Sequence, residues 1–227
     1  FTVMDPEVGR LTGNDVGPGR FPETEAIVST FDEMTGQKQD LLGKRVLITA
    51  GGTREAIDPV RFIGNRSSGK QGIALAIAAR NRGAKVQLIA ANCDISTLQG
   101  IEVFQVETTA QMQNTLQENF GQCDLLIMSA AVADARPVQA ASEKIKKSNL
   151  SSIELQANPD LLAELSTQKT GQVLVGFAAE TKDHLQEARR KLEAKGLDVI
   201  YVNDVSGGAI FGQDTTMGTI LIRNEAD

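Results

Sequence analysis

Continuously apolar runs alternating with stretches of helical spacing constrain the fold of this 227-residue chain more than any other feature. The runs are "RVLITA" (45–50), "KVQLIAA" (85–91), "IEVFQV" (101–106), "DLLIMSAAVAD" (124–134), "VLVGFAAE" (173–180), "LDVIYVN" (197–203) and "TILIR" (219–223). Between them, residues 67–84 read as a helix closed by Gly83, "TAQMQNTLQENF" (109–120) as a polar helix, and residues 182–195 as a charged one. A strand with one wet face alternates apolar and polar residues, whereas a strand covered on both faces stays apolar throughout. The pattern therefore predicts an α/β, Rossmann-like three-layer fold, a mostly parallel sheet with helices on both faces.

Residues 1–43 have a different texture, rich in Gly, Pro, Asp, Glu and Thr with no sustained period, and read as a linker or the tail of something upstream. The folded domain is expected over 44–227, where 41% hydrophobic content across the chain suffices for a sizeable core. No apolar run approaches the ~20 residues that span a bilayer, and the opening residues lack the charged-then-apolar plan of a signal peptide. A cytoplasmic protein without membrane association is expected. Cys93 and Cys123 lie in different segments, without metal-ligand spacing, and read as buried free thiols. A net charge of -6 argues against a nucleic-acid surface and leaves room for a local basic pocket that takes a small anion.

In a parallel sheet of this kind ligands bind outside the carboxyl ends of the strands, so the residues after each run are candidates for one crevice. The first run delivers "GGTRE". Its turn is too long for G-x-G-x-x-G, and no acidic residue closes the second run where a ribose would need one, since Asp94 comes late. Gly51 and Gly52 read equally as a plain turn or as a place where backbone amides approach an anion. "GNRSSGK" (64–70) comes within one residue of a P-loop, but Gln71 stands where Ser or Thr should hold magnesium, and the motif lies about fifteen residues beyond the strand. Ser67 or Ser68 is expected to cap the following helix, whose N-terminus is then either an anion site or an ordinary capped end.

Lys144, Lys146 and Lys147 cluster in "SEKIKKSN", which reads either as a solvated face or as cations for a phosphate group, and Lys191 and Lys195 stand at i, i+4, from where both ammonium groups can lean toward one ligand. Asp134 closes "AAVAD", where a carboxylate can hold magnesium beside phosphates; a turn role is the plain alternative. The single histidine, His184, sits in the charged helix beside Asp183 and reads as a surface residue. No Ser-His-Asp or Cys-His set can be assembled, so the chemistry is expected to rest on positioning and electrostatics. Two other function classes are compatible with this much: an NADPH-dependent Rossmann reductase, and a non-catalytic nucleotide sensor.

The run "VLITAGGTREAIDPVRFIGNRSSGKQG", followed in order by "AAVADARP", "EKIKK", "NPDLL", "VGFAAET", "ARRKLEAKGLDVIYVND" and "GAIFGQDTT", closely resembles the phosphopantothenoylcysteine synthetases of bacterial coenzyme A biosynthesis. The opening "GRLTGNDVGPGRFPETEAIV" resembles the C-terminal end of the decarboxylase to which such synthetases are fused. Where that tail carries a catalytic cysteine before Gly-Asp, this chain has Thr12-Gly13-Asn14-Asp15. The resemblance thus implies a synthetase half without decarboxylase activity, FMN belonging only to the upstream domain. It also implies that the domain normally continues beyond "LIRNEAD" with another strand and helix.

What the resemblance implies for chemistry is a two-step ligation with CTP and Mg2+. The carboxylate of 4'-phosphopantothenate becomes an acyl-cytidylate with release of pyrophosphate, and the amine of L-cysteine then displaces CMP. Asn65 matches the asparagine that contacts the acyl-cytidylate, Asp134 the aspartate near the triphosphate and its cation, and Lys144 the phosphate-binding lysine. Pro159, Asp160, Leu161 and Leu162 match a segment whose backbone reads cytosine, with amides left free by the extended residue before proline. Phe177, Lys191 and Lys195 match further CTP contacts. Met128, Ser129 and Ala130 match the strand end against the nucleotide, where "MS" departs from the usual small residues. The preference for CTP over ATP rests on the resemblance alone. It further implies a homodimer paired through the "DPVRFI" arm, and a larger homo-oligomer when fused to the decarboxylase.

Overall fold

The structure is a computed structural model and describes residues 3–10, 15–35, 38–96, 98–149, 151–180, 184–204 and 218–223. The Thr12-Gly13-Asn14 stretch, Lys182, all of "GAIFGQDTT" and residues 224–227 lie outside the described residues. The chain divides into two units, Phe1–Leu41 and Leu42–Asp227. The first contains the antiparallel pair β1 (Glu7–Arg10) and β2 (Val16–Arg20) and the helix α1 (Thr24–Thr35).

The second unit runs β3 (Arg45–Gly51), β4 (Arg54–Ala56), β5 (Phe62–Gly64), α2 (Lys70–Asn81), β6 (Lys85–Ala91), β7 (Glu102–Val106), α3 (Thr109–Phe120) and β8 (Leu125–Met128). It continues with β9 (Ala135–Pro137), β10 (Leu155–Ala157), α4 (Leu161–Thr167), β11 (Val173–Glu180), α5 (His184–Ala194), β12 (Val199–Asp204) and β13 (Gly218–Ile222). Seven strands form one sheet in the order β13-β12-β11-β8-β3-β6-β7. All neighbours are parallel except β12 and β13, so the expected α/β architecture is what the chain adopts. The strand order reverses at β3, which pairs with β6 on one side and β8 on the other, and this sets a crevice at the carboxyl ends of β3 and β8.

Alternation along the strands assigns the faces. Leu47, Leu126 and Leu174 are cross-strand partners on one face, joined in a single core with Met112 and Leu116 of α3, Leu161, Leu162 and Leu165 of α4, and Leu192 of α5. Ala50 points the other way, toward α2, which buries Gly72, Ala76 and Ala79. The sheet is therefore covered on both faces, which is why its central strands contain almost no polar residue. Two antiparallel hairpins, β4–β5 and β9–β10, stand outside the sheet and carry the segments that follow β3 and β8.

The run 124–134 is strand only as far as Met128. Beyond it the Thr49 hydroxyl takes the Ala130 amide at 3.0 Å, and a lone bridge between Gly52 and Ala131 is all that remains of the ladder.

Candidate active site

The turn after β3 is built by backbone pairing. Gly51 has φ +83°, and a Cβ there would lie 1.9 Å from the Ala91 carbonyl oxygen, so only glycine fits. The Gly52 amide donates to Ala91 O at 2.9 Å, Thr53 N to Ala131 O at 3.3 Å, and Arg54 N to Glu107 O at 2.8 Å. These amides tie the ends of three strands together. The Gly52 amide is accounted for by the plain turn.

The serine cap expected for α2 is corrected: the N-cap is Gly69, in the left-handed region at φ +77°, with no side-chain cap bond. The reason is a close crossing. A Cβ at Gly69 would lie 2.6 Å from Cys93 Cβ and 3.1 Å from the Gly51 nitrogen, so the chain enters the helix one residue after the serines. Gly72, one turn on, is equally confined, its would-be Cβ lying 2.6 Å from Ala50 Cβ and 2.9 Å from Ser129 Oγ. Gly69 and Gly72 of "GNRSSGKQG" thus serve close packing against the sheet. Asn65, exposed at the start of the segment, donates from Nδ2 to Val132 O at 2.9 Å, which ties it to the loop carrying Asp134.

That loop rests on a buried polar network. Thr109, the first residue of α3, donates both its amide (2.8 Å) and its hydroxyl (2.7 Å) to Glu55 Oε1. A carboxylate at a helix N-terminus is favourably placed against the helix dipole. With the Thr109 proton spent on Glu55, its oxygen accepts from Thr53 Oγ1 at 3.1 Å and from Asn158 Nδ2 at 3.2 Å. Thr53 Oγ1 in turn accepts the Ala133 amide at 2.8 Å. Asn158 closes the circuit, giving its Nδ2 to Ala133 O and its backbone amide to Asp134 O, each at 2.8 Å. Glu55, Thr53 and Thr109 are buried, and the side chain of Asp134 is exposed above them. Thr53 and Glu55 lie in the "GGTRE" collected for the crevice and Asn158 in "NPDLL", but neither they nor Thr109 were singled out as site-building residues. The only local hint was the capping box of Thr108 and Gln111 that starts α3.

Met128 is buried, with its sulfur accepting the Thr49 hydroxyl at 3.7 Å, so the strand end offers the backbone of Ser129 and Ala130 together with the Ser129 hydroxyl. Leu161 and Leu162 are core residues, leaving only their backbone for a ligand. Asp160 caps α4 through Ala163 N at 3.1 Å and forms an ion pair with Lys195 at 2.8 Å. Burial pushes the Asp160 carboxyl up, but the Lys195 ammonium and the Ala163 amide outweigh it and hold the group below the ordinary carboxylate range. In the structure the Lys195 ammonium is thus held by a protein carboxylate.

Phe177 packs against Tyr201 with ring centroids 5.2 Å apart, on the face of the sheet that α2 covers. Its neighbour Gly176 faces Leu162 and Leu197 on the opposite face. The Phe177 ring is therefore not brought together with Leu161, Leu162 and Lys195. Lys144, Lys146 and Lys147 are exposed in the loop between β9 and β10. Among the described residues no three His, Cys, Asp or Glu side chains form a metal-binding group, and no helix is long and apolar enough to cross a membrane. Cys93 and Cys123 are free, Cys123 buried and Cys93 half-buried.

Comparison with known proteins gives a consistent assignment. Residues 41–227 match the DNA/pantothenate metabolism flavoprotein C-terminal domain. The coenzyme A biosynthesis bifunctional protein CoaBC of Mycobacterium tuberculosis strain H37Rv is 45% identical over 236 residues, covering 96% of this chain and 56% of that protein. CoaBC of Haemophilus influenzae is 44% identical over 224 residues, covering 98% of this chain and 56% of that protein. The chain thus spans about half the length of the curated relatives it matches. Among solved structures, the C-terminal domain of CoaBC superposes with a TM-score of 0.70 at 36% identity, covering 82% of this chain and 85% of the other. This chain belongs to the DNA/pantothenate metabolism flavoprotein C-terminal domain family.

Proposed function

We propose that this chain is a phosphopantothenate–cysteine ligase that uses CTP, acting in coenzyme A biosynthesis. The observation that carries the reading is the bond from Asn65 to the Val132 carbonyl, which joins the two loops leaving β3 and β8 at the point where the strand order reverses. Membership of a family whose relatives are coenzyme A biosynthesis proteins supplies the substrate class.

In the first step a carboxylate oxygen of 4'-phosphopantothenate attacks the α-phosphorus of CTP, the bond to the β-phosphate breaks, and pyrophosphate leaves. In the second, the cysteine amine attacks the acyl carbon, CMP leaves with the bonding electrons, and the amine loses a proton. Neither step needs a covalent protein intermediate, in keeping with the lack of a Ser-His-Asp or Cys-His set. Asn65 orients the acyl-cytidylate, its amide steered by Val132. Lys144 offsets negative charge on the triphosphate, and Lys191 contributes from α5.

Asp134 fits a magnesium ion held by one carboxylate and substrate phosphates, since that ion keeps most of its ligands as water and phosphate oxygen rather than a protein cage. Such an ion would offset charge on the triphosphate. The backbone of Pro159, Asp160, Leu161 and Leu162 contacts cytosine, while the Asp160–Lys195 pair forms part of the nucleotide wall. Gly51, Gly52, Met128, Ser129 and Ala130 shape the floor, and Phe177 lies against it from the α2 face. Residues 1–43 form the tail of an upstream flavin-dependent decarboxylase domain, and the ligase unit works as a homodimer.

The test is pyrophosphate release with CTP, magnesium, phosphopantothenate and cysteine, compared with ATP in place of CTP. Release with CTP that depends on phosphopantothenate supports the reading; no release with any nucleotide overturns it, and faster release with ATP overturns the choice of nucleotide.

A further inference from the structure

The arm between β4 and β5 contains a buried carboxylate to which none of the steps above assigns a role. Asp58 is 3% exposed. It accepts from the amides of Val60 and Arg61, each at 2.9 Å, and from the Arg61 guanidinium through Nε at 2.9 Å and Nη2. Its remaining acceptor site reaches across the sequence to the Ile145 amide at 3.1 Å. The Arg61 guanidinium returns the contact by donating to the Ile145 carbonyl at 2.9 Å. Both peptide groups of Ile145 are therefore clamped, and Ile145 stands between the exposed Lys144 and Lys146. A second backbone bond, Ala141 N to Ile57 O at 2.9 Å, lays the start of the same loop along the arm.

A buried ion pair brings little net stability, because desolvation offsets most of the attraction, and a turn such as Ile57–Arg61 needs no more than its two local amide bonds. What the pair adds here is a fixed point in an otherwise irregular loop. We propose that Asp58 is a positioning residue that, with Arg61, sets the location of Lys144 by holding the Ile145 peptide. The proposal rests on the reading of Lys144 as a triphosphate contact. The Arg61 cation matters chiefly through this clamp, since it fixes the Asp58 carboxylate in the ionised form that can accept several N–H groups at once.

Two readouts test it. The first is limited trypsin cleavage after Lys144 and Lys146 in the folded chain. Asp58→Asn is expected to speed that cleavage about tenfold, the size of one lost charge-assisted hydrogen bond. The second is a double-mutant cycle on kcat/KM for CTP in pyrophosphate release. Asp58→Asn is expected to lower it about tenfold in the native sequence and less than about twofold in a Lys144→Ala background, because coupled residues are not additive. Unchanged cleavage, or equal losses in both backgrounds, overturns the proposal. If Asp58→Asn does not fold, Ile145→Pro, which deletes the Ile145 amide donor and leaves the Asp58–Arg61 pair intact, must speed cleavage after Lys146, the Lys144 site being closed to trypsin by the following proline, and must give the same result in the cycle. A native chain that releases no pyrophosphate defeats the ligase reading, and trypsin then decides the clamp by itself.

Discussion

Gly72→Ala tests the account of how α2 sits on the sheet. Two effects oppose each other at this position. Replacing a helical glycine with alanine gains about 1 kcal/mol of helix propensity. Against that, the new methyl would lie 2.6 Å from Ala50 Cβ, 2.8 Å from the Thr49 carbonyl oxygen and 2.9 Å from Ser129 Oγ. The serine hydroxyl can rotate away, but Thr49 and Ala50 are fully buried in a central strand and cannot recede. The first turn of α2 must lift instead, and overpacking of this kind costs about 1–3 kcal/mol. With Thr49 and Ala50 unable to recede, the clash outweighs the gain, leaving a net loss of up to about 2 kcal/mol, which lowers Tm by up to roughly 8 °C in a chain of this size. Gly121→Ala is the control, because a Cβ there meets nothing within 4 Å and φ is -62°. Thermal unfolding followed by circular dichroism, with urea midpoints alongside, should show Gly72→Ala below the native chain and Gly121→Ala level with it or up to about 1 kcal/mol above. If Gly72→Ala is as stable as its control, the close crossing of α2 over β3 is wrong, and with it the explanation for the missing serine cap.

Asn65→Asp should leave formation of the acyl-cytidylate largely intact and slow cysteine transfer, so single-turnover measurements would show intermediate building up; equal loss of both steps refutes the role given to Asn65. Stability should fall on acidification. Asp58 and Asp198 are both held below the usual carboxylate range. For Asp58 the Arg61 guanidinium is the main cause; for Asp198 burial pushes upward, but Lys169 and the Leu174 amide outweigh it. Their folded pKa values lie below the unfolded ones, so their contribution is complete above about pH 4 and is lost as pH falls further. Urea midpoints measured between pH 7 and pH 3 should decline only below that point, with a shallower acid limb in Asp58→Asn, and a flat profile would refute the assignment. The thiols should be quiet: burial pushes Cys123 up to about 11 and, with Asp94, raises Cys93. Ellman's reagent at pH 8 should therefore react slowly with the native chain and give two equivalents only in guanidinium, whereas two fast equivalents in the native chain would contradict the burial of Cys123.

Much of the architecture was legible because its causes are local. The limits of β11 match the apolar run at 173–180, and α3 matches the polar stretch at 109–120, since period and capping residues lie within a few positions of each other. Errors arose where a distant group intervened. The run at 124–134 stops being strand at Met128 because Thr49, 81 residues away from Ala130, takes the amide the ladder would have used. Ser67 and Ser68 are good caps in isolation, yet Cys93 and Gly51 crowd Gly69 and move the cap to it. The surroundings of Phe177 and Lys195 were likewise not legible in their motifs: strand alternation sets the Phe177 ring against Tyr201 on the face opposite Gly176, and Asp160 holds Lys195.

By itself the sequence determined the α/β class, the covered sheet and the carboxyl-end loops on which any site had to lie. Those features depend on hydrophobic period and on the one-handed geometry of parallel strands, which every stretch of chain carries within itself. Only the tertiary structure decided which polar side chains build that site. Thr109 and Asn158 support the Asp134 loop, and Asp58 grips the lysine loop, through bonds spanning 25 to 87 residues. A hydrogen bond has no period, and which acceptor meets which donor is fixed only once the hydrophobic layers have set the distances between the loops.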